Sequence, residues 1–148
     1  MSSITIIKEI KTIHPNYIAL VKIGGFYRVY GKDAYIISEL FQYKLKKEGN
    51  IISCGFPVKT IKKVVANLEN KKINYIILDS RNNYNVDEKI DFKNLNTYIN
   101  RYEQAKIYVN NQMKIEQIYE YLSKKAKKEE LKILIKEIEE IINAKGKI

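Results

Sequence analysis

The stretch Gly24–Tyr35, GGFYRVYGKDAY, limits the folds open to this chain more than any other segment. An extended apolar run, Ile18 to Ile23, leads into it, and two successive glycines then favour a tight turn. A second short run, Phe26 to Tyr30, follows the turn, and Gly31, Lys32 and Asp33 open a helix. The pattern predicts a hairpin feeding a helix. Strand side chains alternate between faces. Phe26, Arg28 and Tyr30 therefore share one face, and Tyr27 and Val29 share the other. If Tyr27 and Val29 face the core, Phe26 and Arg28 stand together on the surface. The alternative buries Phe26 and leaves Arg28 to extend its stem to water. Alternation leaves both open.

Upstream, Ile4, Ile6, Ile7, Ile10 and Ile13 form a helical stripe, closed by His14, Pro15 and Asn16. After the hairpin, Ala34, Ile37, Leu40 and Phe41 predict a helix from residue 32 or 33 to about Lys44. Lys44, Lys46 and Lys47 then fall in its last turn and the following loop, where cations suit the helix dipole. Asp33 is expected to cap this helix. Gly49 and Asn50 mark a turn, Ile51 to Phe56 a strand, and Ile61, Val64, Val65 and Leu68 the stripe of a helix ending near Asn70. Tyr75 to Leu78 reads as a central strand, Asp79 to Asn85 as a polar loop, and Tyr84 to Ile90 as an edge strand. The expected fold class is α/β in the α+β sense, a mixed sheet packed with helices over residues 1–91. From Phe92 the periodicity becomes wholly helical. Residues 92–148 are expected to form a helical appendage of two or three helices, with breaks near Met113 and between Ser123 and Glu130. Its third helix either folds back or pairs with another copy, so a homodimer through these helices is an expected partner state.

Lys and Arg number 27 against 17 Asp and Glu, a formal charge of +10. The excess is spread along the chain, which favours polyanions without specifying a sequence. The single Cys54 excludes an internal disulfide and a cysteine-based zinc site, and its apolar strand implies a buried, inert thiol. No apolar run approaches membrane-spanning length and no leader pattern opens the chain, so no membrane partner is expected and the expected location is the cytoplasm.

No phosphate-binding GxxxxGK[ST] loop and no GxGxxG occur, so neither a nucleotide nor any other cofactor is expected. With His14 the sole histidine and no serine elbow, a hydrolytic triad is not expected. Asp79, Asp87, Glu88 and Asp91 lie close in sequence. They permit a minor alternative, a metal-dependent nuclease with Asp79 at a strand end, but a solvated acidic loop explains them adequately.

His14-Pro15, the strand to Ile23, the GGFYRVYGKDA block, Leu45-Lys46, Ser53-Cys54-Gly55-Phe56-Pro57 and Ile73 to Asp79 occur in order with compatible spacing. Over about residues 10–80 the chain resembles the N-terminal domain of the bacterial DNA mismatch-repair protein MutS. The resemblance implies a stand-alone relative with that mixed αβ fold and no enzymatic activity. It implies double-stranded DNA, mismatched or bent, as partner. The family's wedge aromatic maps onto Phe26, with Tyr27 packing behind it. The family's preceding acid is Gly25 here, and its base-reading glutamate is Arg28, which cannot accept a hydrogen bond. Expected DNA-contacting residues are Phe26 and Arg28, with Lys22, Lys32, Lys44, Lys46 and Lys47 as backbone contacts. The alternative from another class is a protein-interaction module that works through the C-terminal helices. The helices after Phe92 are expected to fall outside the resemblance.

Overall fold

The computed structural model describes residues 3–146. Its elements are α1 (Ser3–Ile13), β1 (Ile18–Ile23), β2 (Phe26–Tyr30), α2 (Lys32–Phe41), β3 (Lys46–Glu48), β4 (Ile51–Pro57), α3 (Ile61–Asn70), β5 (Tyr75–Asp79), β6 (Val86–Ile90), α4 (Leu95–Glu120) and α5 (Lys128–Ala144). The strands form one six-stranded sheet in the order β3-β4-β2-β1-β5-β6. Only β1 and β5 run parallel; the other neighbours are antiparallel. The mixed sheet with helices, expected from the alternation of strand and helix periods, is the fold of this chain.

Two glycines make the hairpin and its exit possible. Gly24 turns the chain with φ +61°, and Gly31 leaves β2 with φ 60° and ψ −131°, a backbone state that side chains resist. The Gly31 N–H donates to Ile52 on β4.

The sheet buries two apolar faces. On the first, Ile18, Leu20, Tyr27, Val29, Cys54, Phe56 and Tyr75 pack with Ala34, Ile36 and Ile37 of α2, Val64 and Leu68 of α3, and Tyr98 and Ala105 of α4. On the second, Ala19, Val21, Tyr30, Ile76 and Leu78 pack under Ile7 of α1. β1 is thus buried on both sides, which explains its unbroken apolar run.

Asp33 does not cap α2. It is 1% exposed and accepts from the Ala19 N–H of β1 (3.0 Å), the Tyr98 hydroxyl of α4 (2.5 Å) and the Lys11 ammonium of α1 (3.0 Å). Lys11 also donates to the Tyr17 carbonyl and lies 4.9 Å from the Tyr98 ring centroid. A buried carboxylate is costly unless its lone pairs are filled, and here four elements converge to fill them. Burial, then the Asp33 charge, pushes the Tyr98 hydroxyl far above the usual phenol range, so it stays a donor.

The sequence pattern misplaces three features. Helix α2 stops at Phe41, where Gln42 adopts a left-handed C-cap and donates to Ser38. Lys46 and Lys47 then lie in a short edge strand, not in a helix end or loop. Helix α4 runs unbroken through Met113, so the two expected helices are one. The chain divides into two compact units, Met1–Val109 and Asn110–Ile148. The boundary lies beyond residue 91 because Tyr98, Ala105 and Val109 are buried, and Arg101 holds both Glu39 oxygens at 2.8 and 3.1 Å. The second unit holds the end of α4, a π-helical turn at Tyr121–Lys125, and α5.

Asp33→Ala is expected to lower the unfolding free energy by about 3 kcal/mol, because it strands a buried amide, hydroxyl and ammonium together. Urea melts measure it, and a loss under about 1 kcal/mol would show that the network is dispensable. Cys54 donates weakly to the Ala34 carbonyl, and burial pushes its thiol up to about 12. Alkylation of the native protein at pH 8 should be slower than in urea by about a hundredfold or more.

Candidate nucleic-acid interface

Phe26 begins β2 in register with Ile23 of β1 and Pro57 of β4. It is 51% exposed, while Tyr27 and Val29, on the opposite face, are buried. Tyr27 stacks on Phe56 with 5.7 Å between ring centroids. The strand is therefore anchored by one face and presents Phe26 from the other. Helix α1 lies over β1 and β5, with Ile7 in the core and Ser3 Oγ 2.7 Å from the Tyr84 hydroxyl. The corner made by Phe26, Gly55 and Pro57 stays open to solvent. The Val58 N–H donates to the Gly25 carbonyl at 3.0 Å and ties the hairpin turn to the strand beside it.

Arg28 shares the Phe26 face, but its charge is engaged. Its NH1 donates to Glu48 Oε1 at 3.0 Å, and Ser53 Oγ donates to the same oxygen at 3.1 Å. Arg28 sits opposite Gly55. A Cβ at Gly55 would lie 3.1 Å from the Tyr27 carbonyl and 3.7 Å from the Arg28 Cγ, so glycine gives the arginine stem its path across β4. Ser53 is level with Tyr30, not with Phe26, so the guanidinium leans away from the aromatic ring.

The five lysines separate. Lys22 is in register with Tyr27 and Asp79, which places it on the face opposite Phe26 and beside a carboxylate. Lys32 lies two residues past Tyr30, the far end of β2, which is itself about 13 Å along the strand from Phe26, and its Nζ is 5.1 Å from the Tyr102 ring centroid. Lys46 pairs with Ser53 and Lys47 with Ile52, also toward that far end. Lys44 precedes them and is exposed, as they are. The structure thus brings Phe26 and Arg28 onto one face and sets Lys32, Lys44, Lys46 and Lys47 apart from the ring.

The acidic loop has local explanations. Asp79 accepts from the Arg81 N–H, Asp87 from the Asn82 amide, and Asp91 from the Lys93 N–H. The Lys93 bond, then the Tyr17 hydroxyl, lower the Asp91 pKa. Among the described residues, no three His, Cys, Asp or Glu side chains converge to hold a metal ion. Asp79 and Glu88 lie in register on the Tyr27 side of the sheet, away from Phe26, and after burial the charges of Asp79, Asp87 and Glu88 raise the pKa of Tyr27.

A family model for MutS domain I matches residues 3–138 of the 148. The chain belongs to the MutS domain I family. The match runs past residue 80 and through most of α5, so the helices after Phe92 lie inside the family's span and not outside it as the sequence blocks suggested. No curated protein matches the chain. Of the residues shaping the Phe26 corner in this MutS domain I chain, sequence reasoning missed three. Glu48 was hidden because β3 is too short and too charged to read as a strand. Gly55 and Pro57 were visible only as part of a strand, since their importance comes from lying beside Arg28 and Phe26.

Phe26→Ala should leave stability within about 1 kcal/mol of the parent, whereas Phe56→Ala should cost about 3–5 kcal/mol. Thermal and urea melts of the two variants test whether Phe26 belongs to the surface or to the core.

Proposed function

We propose that this chain binds double-stranded DNA without catalysing a reaction on it, and favours mismatched, bulged or otherwise deformable duplex. Phe26 is the wedge. The observation that carries the reading is a half-exposed aromatic, on a strand anchored through its opposite face, in a chain of the MutS domain I family; in MutS this domain binds mismatched DNA. A planar apolar ring replaces part of the stacking lost at a kinked step, and a mispaired step is the cheapest to open.

Arg28 plays a second part. Its ion pair with Glu48 is about one-third exposed on each side, 35% and 34%, so the pair contributes little to stability and can open to a phosphate. Glu48 also repels phosphate and moderates binding to ordinary duplex. Lys59, next to Val58 at the hairpin end, is the basic residue placed to meet backbone near the wedge, while Lys22 lies on the opposite face. Lys32, Lys44, Lys46 and Lys47 contribute attraction at longer range, as part of the +10 field.

Fluorescence anisotropy with matched, mismatched and bulged duplexes, measured against salt, tests the proposal. Affinity should fall steeply as salt rises. Phe26→Ala should lose about tenfold of the preference for distorted DNA, within the range of one stacking contact at about 1–3 kcal/mol. Arg28→Glu should weaken binding to every duplex, and Glu48→Gln should strengthen it severalfold while reducing the preference. Absence of binding at low salt, or an undiminished preference in Phe26→Ala, would overturn the reading.

A further inference from the structure

The end of the sheet that carries Phe26 has two flanks of opposite charge. On one side β4 leads through a short 3-10 turn, Val58–Thr60, into α3. Residues 49–68 on this flank hold three lysines and no Asp or Glu, a net charge of +3. On the other side, across β1, lie β5 and β6. Residues 79–91 there hold four acids against Arg81 and Lys89, a net charge of −2. The basic flank is tied to the hairpin turn, because Pro57 is in register with Phe26 and the Val58 N–H donates to the Gly25 carbonyl.

The three lysines are placed at a cost to the free protein. Lys59, Lys62 and Lys63 are exposed, and none forms an ion pair among the described residues. Lys63 Nζ lies 5.8 Å from the Phe41 ring centroid, a contact that leaves its charge unneutralised. Lys62 and Lys63 fall in the first turn of α3, which carries no acid and no capping side chain. A helix is partly positive at that end, so cations there are disfavoured, whereas Lys71 at the C-cap of the same helix suits the dipole. Spacings of three and four residues set the three lysines side by side on the helical surface. Unpaired cations held together against a helix dipole gain from an anion outside the chain. A duplex that touches Phe26 brings its phosphates to them, while the opposite flank repels phosphate.

Resting on the reading of Phe26 as a wedge, we infer that Lys59, Lys62 and Lys63 form a track for the phosphates of one strand. The duplex then lies over the β4–α3 flank and is kept off the β5–β6 flank. The division of labour is definite. Phosphate contacts carry no sequence or mismatch information, so the track supplies affinity for every duplex and the ring supplies the preference.

Salt titrations of the full chain with matched and mismatched duplexes, read by anisotropy, test the track. Lys62→Ala and Lys63→Ala should each weaken both duplexes severalfold and by the same factor. Each should also lower the slope of log affinity against log salt by about 0.9, the loss of one phosphate contact. Lys71→Ala removes the same charge from the other end of α3 and should leave the slope unchanged. Lys62→Glu should weaken DNA binding further and yet raise the thermal midpoint of the free protein, because it sets an acid at the helix N-terminus; lost binding is then not lost folding. Slopes for Lys62→Ala and Lys63→Ala equal to that of Lys71→Ala would overturn the track and leave the wedge standing, provided Phe26→Ala still loses the preference. A fall in mismatch preference without a fall in matched affinity would also overturn it. Absence of any binding at low salt would remove the track and the wedge together.

Discussion

The buried carboxylate of Asp33 holds this fold in register. It draws a backbone amide from β1, a hydroxyl from α4 and an ammonium from α1 to one point at the start of α2. None of these donors could be removed cheaply, because an unmatched partner would remain in a site closed to water. The consequence is positional. The exit of β2 is fixed relative to β1 by Gly31 and Asp33 together, and the opposite end of the hairpin, where Phe26 stands, is held by strand pairing and by the stack of Tyr27 on Phe56. The ring projects from a framework clamped at one end and packed along one face.

Exposure of Phe26 follows from geometry rather than from a local preference. Six strands span about 24 Å, while one helix is about 10 Å across. Among the described residues α1 alone supplies the helical contact to the second face, and it lies over β1 and β5. That cover reaches Tyr30 and Ile51 but not the Phe26 end of β2 and β4. There the sheet places what tolerates water: an ion pair, a glycine, a proline and the edge of an aromatic ring. The same lack of cover lets Arg28 reach Glu48 across Gly55. The pair leaves the Arg28 charge partly neutralised on the face that Phe26 shares.

Much of this was legible in the residues. The paired glycines that open GGFYRVYGKDAY marked the hairpin, and the period change at Phe92 marked the long helices. The ordered blocks from His14 to Asp79 pointed to MutS domain I. What escaped was non-local. Three charged residues, Lys46 to Glu48, carry no strand signal and pair only because β4 offers them an edge. Asp33 looked like a helix cap because its true partners lie 14, 22 and 65 residues away in the chain. The apparent break in α4 arose because burial ends after Val109, while the helical backbone continues to Glu120. Charge in the sequence also overstated the basic site, since Lys22 faces away from the ring and Arg28 is already paired.

The central claim is that the Phe26 ring enters the base stack. A duplex carrying 2-aminopurine beside a mismatch reports this directly, because its fluorescence rises when stacking on the neighbouring base is lost. Titration with the parent protein should raise the emission, while Phe26→Ala, added at concentrations where it occupies the same duplex, should leave the emission near that of free DNA. Equal increases from both proteins would contradict the account, since the step would then open without the ring.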